Sequence, residues 1–204
     1  MSAPARRPKP PARPLRGSPD QTRQRLVAAA AELFNEAGYD GTDSNRLARA
    51  AGYAPGTFYK HFRDKREIFL AVYADWVTQE WEALGSTLGQ GGSAQARATG
   101  IVDQLLAHHR RWRGLRASLR MLVASDGPVR EFYREQRLRQ FAWLERLRAE
   151  AGDPPRSREE DALLLYTLER TADALADEEA AALQLRDGRM RTLLVDLVTR
   201  QLGG

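Results

Sequence analysis

Apolar residues recur along this chain at helical spacing, and from Ala94 onward no strand alternation appears, so the pattern predicts an all-α fold. Leu26, Ala29, Ala30, Leu33 and Phe34 give the first helical face, running to about Ala37. Ser18-Pro19-Asp20-Gln21 opens it with a serine cap, a proline at the first helical position and a glutamine placed to close a capping box. Gly38 ends it. Leu47, Ala48 and Ala51 form one buried stripe on about two turns, with Asp43 as N-cap and Gly52 as the stop. Pro55 opens a second short helix whose large groups are Phe58, Tyr59 and Phe62. Asp64 and Glu67 form an Asp-x-x-Glu capping box for a long helix. Ile68, Phe69, Val72, Tyr73, Trp76, Val77 and Leu84 line that helix to about Leu84 or Leu88, and the glycine-rich run 85–93 closes it. Further helices are expected at about 94–112, 114–124, 128–151, 157–182 and 188–202. Gly152-Asp153-Pro154-Pro155 is a clear break, and Ser157 with Glu160 is a second capping box.

Two short helices joined by a glycine turn are a helix-turn-helix. A helix end fits the major groove, and backbone N–H groups at helix N-termini attract phosphate. Charge agrees: Thr42 to Arg66 carries Arg46, Arg49, Lys60, Arg63, Lys65 and Arg66 against Asp43 and Asp64, a net +4. The whole chain has a formal charge of +5, and residues 1–19 alone hold +5 through Arg6, Arg7, Lys9, Arg13 and Arg16. The basic balance is therefore a proline-rich tail plus a local patch set against an acidic or neutral remainder. Residues 1–17 contain five prolines and are expected to be an extended or disordered arm. Such an arm either touches the phosphate backbone or minor groove or is a solvated tail.

Residues 22–77 resemble the DNA-binding domain of the TetR family of transcriptional regulators. The matching pieces are Ala-Ala-Glu-Leu-Phe at 30–34, Gly38-Tyr39, Thr42, Leu47-Ala48, Ala51-Gly52, Gly56-Thr57-Phe58-Tyr59, His61-Phe62 and Asp64-Lys65. Ser44, Tyr53 and Arg66 depart from the usual pattern. The resemblance implies a helix-turn-helix domain over 18–64, then a larger helical effector-binding and dimerisation domain over 65–204, entered through a connecting helix at 65–88. It assigns the base-reading face to Tyr53, Ala54, Pro55, Thr57, Tyr59, Lys60 and His61, and places Thr42, Arg46 and Lys65 nearer phosphates. It also implies a homodimer on a palindromic DNA operator, most often a repressor released by a small-molecule effector. The final two helices would pack as a four-helix bundle, with Leu164, Leu168, Leu175, Leu193, Leu194 and Leu197 as the interface. The other reading of those leucines is packing within one subunit.

With 42% hydrophobic residues the chain has the material for a core, and it holds no cysteine, which excludes disulfides and thiolate metal sites. No apolar run approaches a membrane span and no secretory signal is present, so a cytoplasmic location is expected. Aromatic residues are candidates for a pocket that takes a flat or greasy ligand: Tyr73, Trp76, Trp112, Tyr133 and Trp143, with Gln136 and Gln140 one turn apart as polar partners. The competing reading is that the aromatics fill the core. His108-His109 is the sole histidine pair, and adjacent helical residues point about 100° apart, which does not suit one metal. No nucleophile–base pair, phosphate loop or metal cluster appears, so no catalytic residue, cofactor or metal ligand is expected. The alternative to ligand gating is a regulator of the same fold governed by a protein partner or by abundance.

Overall fold

A computed structural model describes residues 18–89, 91–152 and 154–202; the basic arm lies outside them. The described residues form ten helices and no strand: α1 (Pro19–Ala37), α2 (Ser44–Ala50), α3 (Pro55–Phe58), α4 (Lys65–Leu88), α5 (Ala94–Arg111), α6 (Arg113–Ser125), α7 (Gly127–Ala151), α8 (Arg158–Ala176), α9 (Glu179–Ala182) and α10 (Asp187–Leu202). The caps are the expected residues. Ser18 and Gln21 make a reciprocal box at α1, as Ser157 and Glu160 do at α8, and Asp43 accepts from Arg46 N at α2. At α4 Asp64 accepts from Glu67 N, but the Glu67 carboxylate reaches one residue further back, to Arg63 N at 2.7 Å. The capping box expected there is thus only half formed.

α4 ends at Leu88, the longer of the two expected ends, because helical hydrogen bonding continues through Gly85 to the Gly89 cap. One boundary differs from the sequence reading. The helix expected over 157–182 breaks after Ala176, where Glu178 adopts a left-handed φ of 61° and a separate turn, α9, follows. No glycine or proline marks that break, so pattern alone did not reveal it.

Two clusters make the core. The first joins the head to the body: Leu26, Phe34, Leu47, Phe58 and Phe62 pack with Ile68, Phe69 and Val72 of α4 and with Leu115, Leu119 and Leu122 of α6. The second is formed by α5, α8 and α10 around Val102, Leu106, Ala172, Leu194 and Val198. The contact of α6 with the end of α1 is unusually close. A Cβ at Gly114 would lie 2.0 Å from the Asn35 carbonyl oxygen, so only glycine fits. Asn35 Oδ1 in turn accepts from Gly114 N (3.0 Å) and Leu115 N (3.3 Å), capping α6 from outside the helix. Ser118 Oγ accepts from Tyr39 N at 2.9 Å, Arg111 pairs with Glu32, and Arg66 Nη1 reaches Asp126 Oδ2 at 3.2 Å. The departure at Arg66 therefore serves to tie α4 to the α6–α7 corner.

Candidate nucleic-acid interface and effector cavities

Gly52, with φ 80°, turns the chain between α2 and α3. Tyr53 N donates to Ala48 O at 2.9 Å, which folds the turn back on α2. Phe58 and Phe62 are buried beneath α3, and their burial leaves the opposite face outward. Tyr59 is 59% exposed, Ala54, Pro55 and Lys60 are exposed, and Thr57 and His61 are half-buried. These six expected readers form one surface. Basic residues are also exposed on the other helices of the head: Arg46 and Arg49 on α2, and Arg23 and Arg25 on α1, the first stacked 4.9 Å over Phe62, the second donating to the Tyr53 hydroxyl at 3.4 Å. Those two arginines did not stand out in the sequence. What marked them was their position on the polar side of the first helix, a weak signal by itself.

Three expected DNA contacts point elsewhere. Tyr53 is buried in the head core, so its ring is not on the reading face. Thr42 is buried, and its hydroxyl donates to Tyr39 O at 2.9 Å. Lys65 Nζ donates to Tyr39 O (2.8 Å) and Thr42 O (3.0 Å) and lies 4.0 Å from the centre of the Tyr39 ring. Its ammonium clamps the α1–α2 loop, since two of its donors are held by loop carbonyls, one of which, Tyr39 O, also accepts from Thr42. Arg46 donates to Gly41 O at 2.5 Å yet remains exposed. Lys65→Ala is accordingly expected to destabilise the fold by about 2–3 kcal/mol, the worth of two charge-assisted hydrogen bonds. DNA binding would weaken on every sequence while the slope of log K against log salt stays unchanged. A slope shallower by about one unit would return Lys65 to the phosphates.

The body contains two cavities of different chemistry. One, about 340 Å³, is lined by Trp81, Leu84, Trp143, Leu147, Leu164, Leu168 and Val198, with Arg97, Arg148 and Arg156 at its edge. The other, about 310 Å³, lies between α4, α6, α7 and α8 and is lined by Tyr73, Trp76, Tyr133, Gln140 and Arg137 among others. Of the expected pocket residues, Tyr73, Trp76, Tyr133 and Gln140 thus come together. Trp143 belongs to the first cavity, and Trp112 lines a separate cleft against α1. Gln136 is buried but lines neither of the two cavities. One aromatic pocket was expected. Helical register distributes the residues over three places instead.

Below the second cavity lies a buried polar network that sequence reading did not identify. Asp173 accepts from Arg116 Nε (2.6 Å) and pairs with His109 Nδ1 (2.9 Å). His109 Nε2 faces Glu80 Oε1 at 3.7 Å. Burial raises the Glu80 carboxyl to about 8, overcoming the lowering by Arg116, so it is protonated at neutral pH. Burial also lowers His109, so its imidazole is neutral, and brings His108 down to about 4. Glu80 faces His109 from α5, Arg116 from α6, Arg137 from α7, and Glu169 and Asp173 from α8. The sign follows. Unfolded Glu80 ionises near 4.5 and folded Glu80 near 8, so its share of stability is full below pH 4.5 and is lost as pH rises through 8. Glu80→Gln is expected to add on the order of 3 kcal/mol at pH 7 and under about 1 kcal/mol at pH 5. Urea unfolding at the two values measures the difference. Equal gains at both would show that Glu80 is ionised in the fold.

A helical body carrying an exposed, basic helix-turn-helix defines the class: a protein built like a DNA-binding regulator. Residues 26–72 match the family described as bacterial regulatory proteins, tetR family. The helix-turn-helix head and the opening of α4 thus belong to that family. It is 28% identical over 132 residues to the HTH-type transcriptional repressor AcnR of Corynebacterium diphtheriae, a match covering 63% of this chain and 65% of that protein. The matches to other curated relatives span a third or less of their length. Two solved structures share the fold. A transcriptional regulator from Rhodococcus sp. Rha1 has a TM-score of 0.64 at 21% identity, covering 91% of this chain and 96% of that one. The transcriptional regulator FadR from Bacillus subtilis, solved in complex with stearoyl-CoA, has a TM-score of 0.61 at 17% identity, covering 86% and 97%. The named relatives are regulators of transcription rather than enzymes. Among the described residues no helix is long and apolar enough to cross a membrane, and no cluster of three or more His, Cys, Asp or Glu side chains is placed to hold a metal.

Proposed function

We propose that this chain is a sequence-specific, DNA-binding transcriptional repressor that acts in the cytoplasm as a homodimer and leaves a palindromic operator when a small hydrophobic or aromatic effector binds. The observation that carries the reading is the outward face of α3, where Tyr59 and Lys60 stand exposed, in a head whose α1 and α2 also expose Arg23, Arg25, Arg46 and Arg49. Lys60 is suited to guanine O6 or N7, and the arginines to phosphate. Residues 18–64 act as the reading head and 65–204 as the body. Effector gating is supported by the cavities of the body and by the stearoyl-CoA held by the Bacillus subtilis neighbour.

The mechanism is a population shift. Dimer half-sites lie about 34–36 Å apart, so a displacement of a few ångströms between heads removes most specific contacts. The effector acts only through differential affinity for the two arrangements. α6 supplies the mechanical path, because it walls the second cavity with Arg116 and Leu119 and holds the end of α1 and its loop through hydrogen bonds from Gly114 and Leu115 to Asn35 and from Tyr39 to Ser118. A gel shift with a palindrome from the gene's own promoter tests the reading: a discrete complex at moderate salt that competitor DNA does not remove. Equal affinity for random duplex would overturn it.

A further inference from the structure

We infer that the cleft between α4, α6, α7 and α8 is a binding site for a compact, uncharged aromatic molecule bearing a hydroxyl group, an inference that rests on the effector reading above.

The walls set the shape. Tyr73 stacks on Trp76 with centroids 5.9 Å apart and planes 24° apart, and on Tyr133 at 6.3 Å and 17°. Near-parallel rings on two helices present flat apolar faces, which favour a flat guest. The volume of about 310 Å³ sits at the low end of the roughly 300–1,000 Å³ typical of small-molecule sites, which limits the guest to a few fused or linked rings.

The polar atoms set the functional group. Trp76 and Gln140 are 6% and 5% exposed, both line the cleft, and neither Trp76 Nε1 nor Gln140 Oε1 has a hydrogen-bond partner. Arg137 Nε, on another lining residue, is a third such atom. Buried polar groups are ordinarily paired, so two donors and an acceptor left open on residues that line one cavity call for a ligand or water that both donates and accepts. A hydroxyl does both. An amide serves such a group in either orientation of Gln140.

The charges exclude an acid. Arg137 is paired with Glu169 at 2.8 Å, Arg116 with Asp173 at 2.6 Å, Arg120 with Asp173 and Asp177 at 2.8 and 2.9 Å, and Arg170 with Glu179 at 2.6 Å. Each guanidinium at the cleft already has its carboxylate, and a ligand anion entering there would have to displace one. Arg137 Nε is open, but Glu169 keeps that guanidinium's charge matched, so it suits a neutral acceptor.

The test uses the full chain and calorimetric titration with 2-naphthol, 2-naphthoate and naphthalene, first without DNA. 2-Naphthol is expected to bind saturably, naphthalene about tenfold more weakly, and 2-naphthoate more weakly than 2-naphthol. Gln140→Leu should weaken 2-naphthol about tenfold while naphthalene holds or gains affinity, and Trp76→Phe should likewise reduce the preference for the hydroxyl. Retained naphthalene binding shows that the variant cleft is intact. The inference is overturned if 2-naphthol does not bind, if the carboxylate binds more tightly, or if neither substitution changes the naphthol-to-naphthalene ratio. Operator titration then separates the two readings. If 2-naphthol binds as described yet leaves operator affinity unchanged, the site stands and effector gating through it fails. If another compound releases the operator equally from Gln140→Leu and the unaltered chain while 2-naphthol does not bind, gating stands and this site fails.

Discussion

The double substitution Leu163→Glu, Leu193→Glu is expected to turn the proposed dimer into a folded monomer and to lower operator affinity by at least about a hundredfold. Leu163 is 69% exposed and Tyr166 53% exposed on α8, and Leu193 is 49% exposed on α10. Such large apolar groups outside the core of one subunit are what a second copy would cover. Glutamate at each position leaves the helices intact, since neither side chain packs in the subunit core, and places charge where desolvation on association is costly. The loss of affinity follows from linkage: each head alone grips one half-site, and joining two multiplies their effective affinity. Sedimentation velocity, circular dichroism and gel shift on the same preparation decide it. A variant that remains dimeric would move the interface off this face.

Asp173→Ala is expected to cost about 3–5 kcal/mol of unfolding free energy, the largest effect of a single substitution here. One carboxylate holds Arg116 through Nε (2.6 Å) and Nη2 (3.2 Å), His109 through Nδ1 (2.9 Å), and Arg120 through Nη1 (2.8 Å). Arg116 and His109 are buried, so removing the acceptor leaves an uncompensated cation and an unpaired ring nitrogen in the interior. Burial alone would raise the Asp173 carboxyl. The hydrogen bonds from His109 and Arg116 outweigh it and hold the group well below the ordinary carboxylate range. Its stabilisation is therefore present above its ordinary value of 3.8 and is lost only as pH falls through the depressed one. Urea unfolding at neutral pH checks the magnitude. A loss under about 1 kcal/mol would show that solvent enters the network and pairs with Arg116.

The helix-turn-helix was legible because its determinants are local. Ser18, Asp43, Asp64, Gly38 and Gly52 act within one turn of where they stand, and each caps or stops the helix that the pattern assigns to it. The outward face of α3 followed from the burial of Phe58 and Phe62 four residues apart. The interface leucines were less legible. Leu175 and Leu194 pack in the subunit core, Leu164 and Leu168 line the apolar cavity, Leu197 is half-buried, and only Leu193 among the six is exposed. The outward positions Leu163 and Tyr166 lie one residue before and two after Leu164. An apolar stripe shows that a helix is covered on one side, but a helix covered on two sides carries two stripes, and periodicity does not say which belongs to which neighbour.

The sequence by itself determined the helices, their caps, the all-α class and the reading head, because those depend on residues within a turn of one another. Only the tertiary structure decided that Lys65 clamps a loop, that Glu80, His109, Arg116 and Asp173 meet although they lie on four helices, and that the aromatics divide among separate cavities. Those outcomes depend on the angle and register at which helices distant in sequence pack, and packing is settled by contacts such as Gly114 on Asn35 that no local pattern encodes.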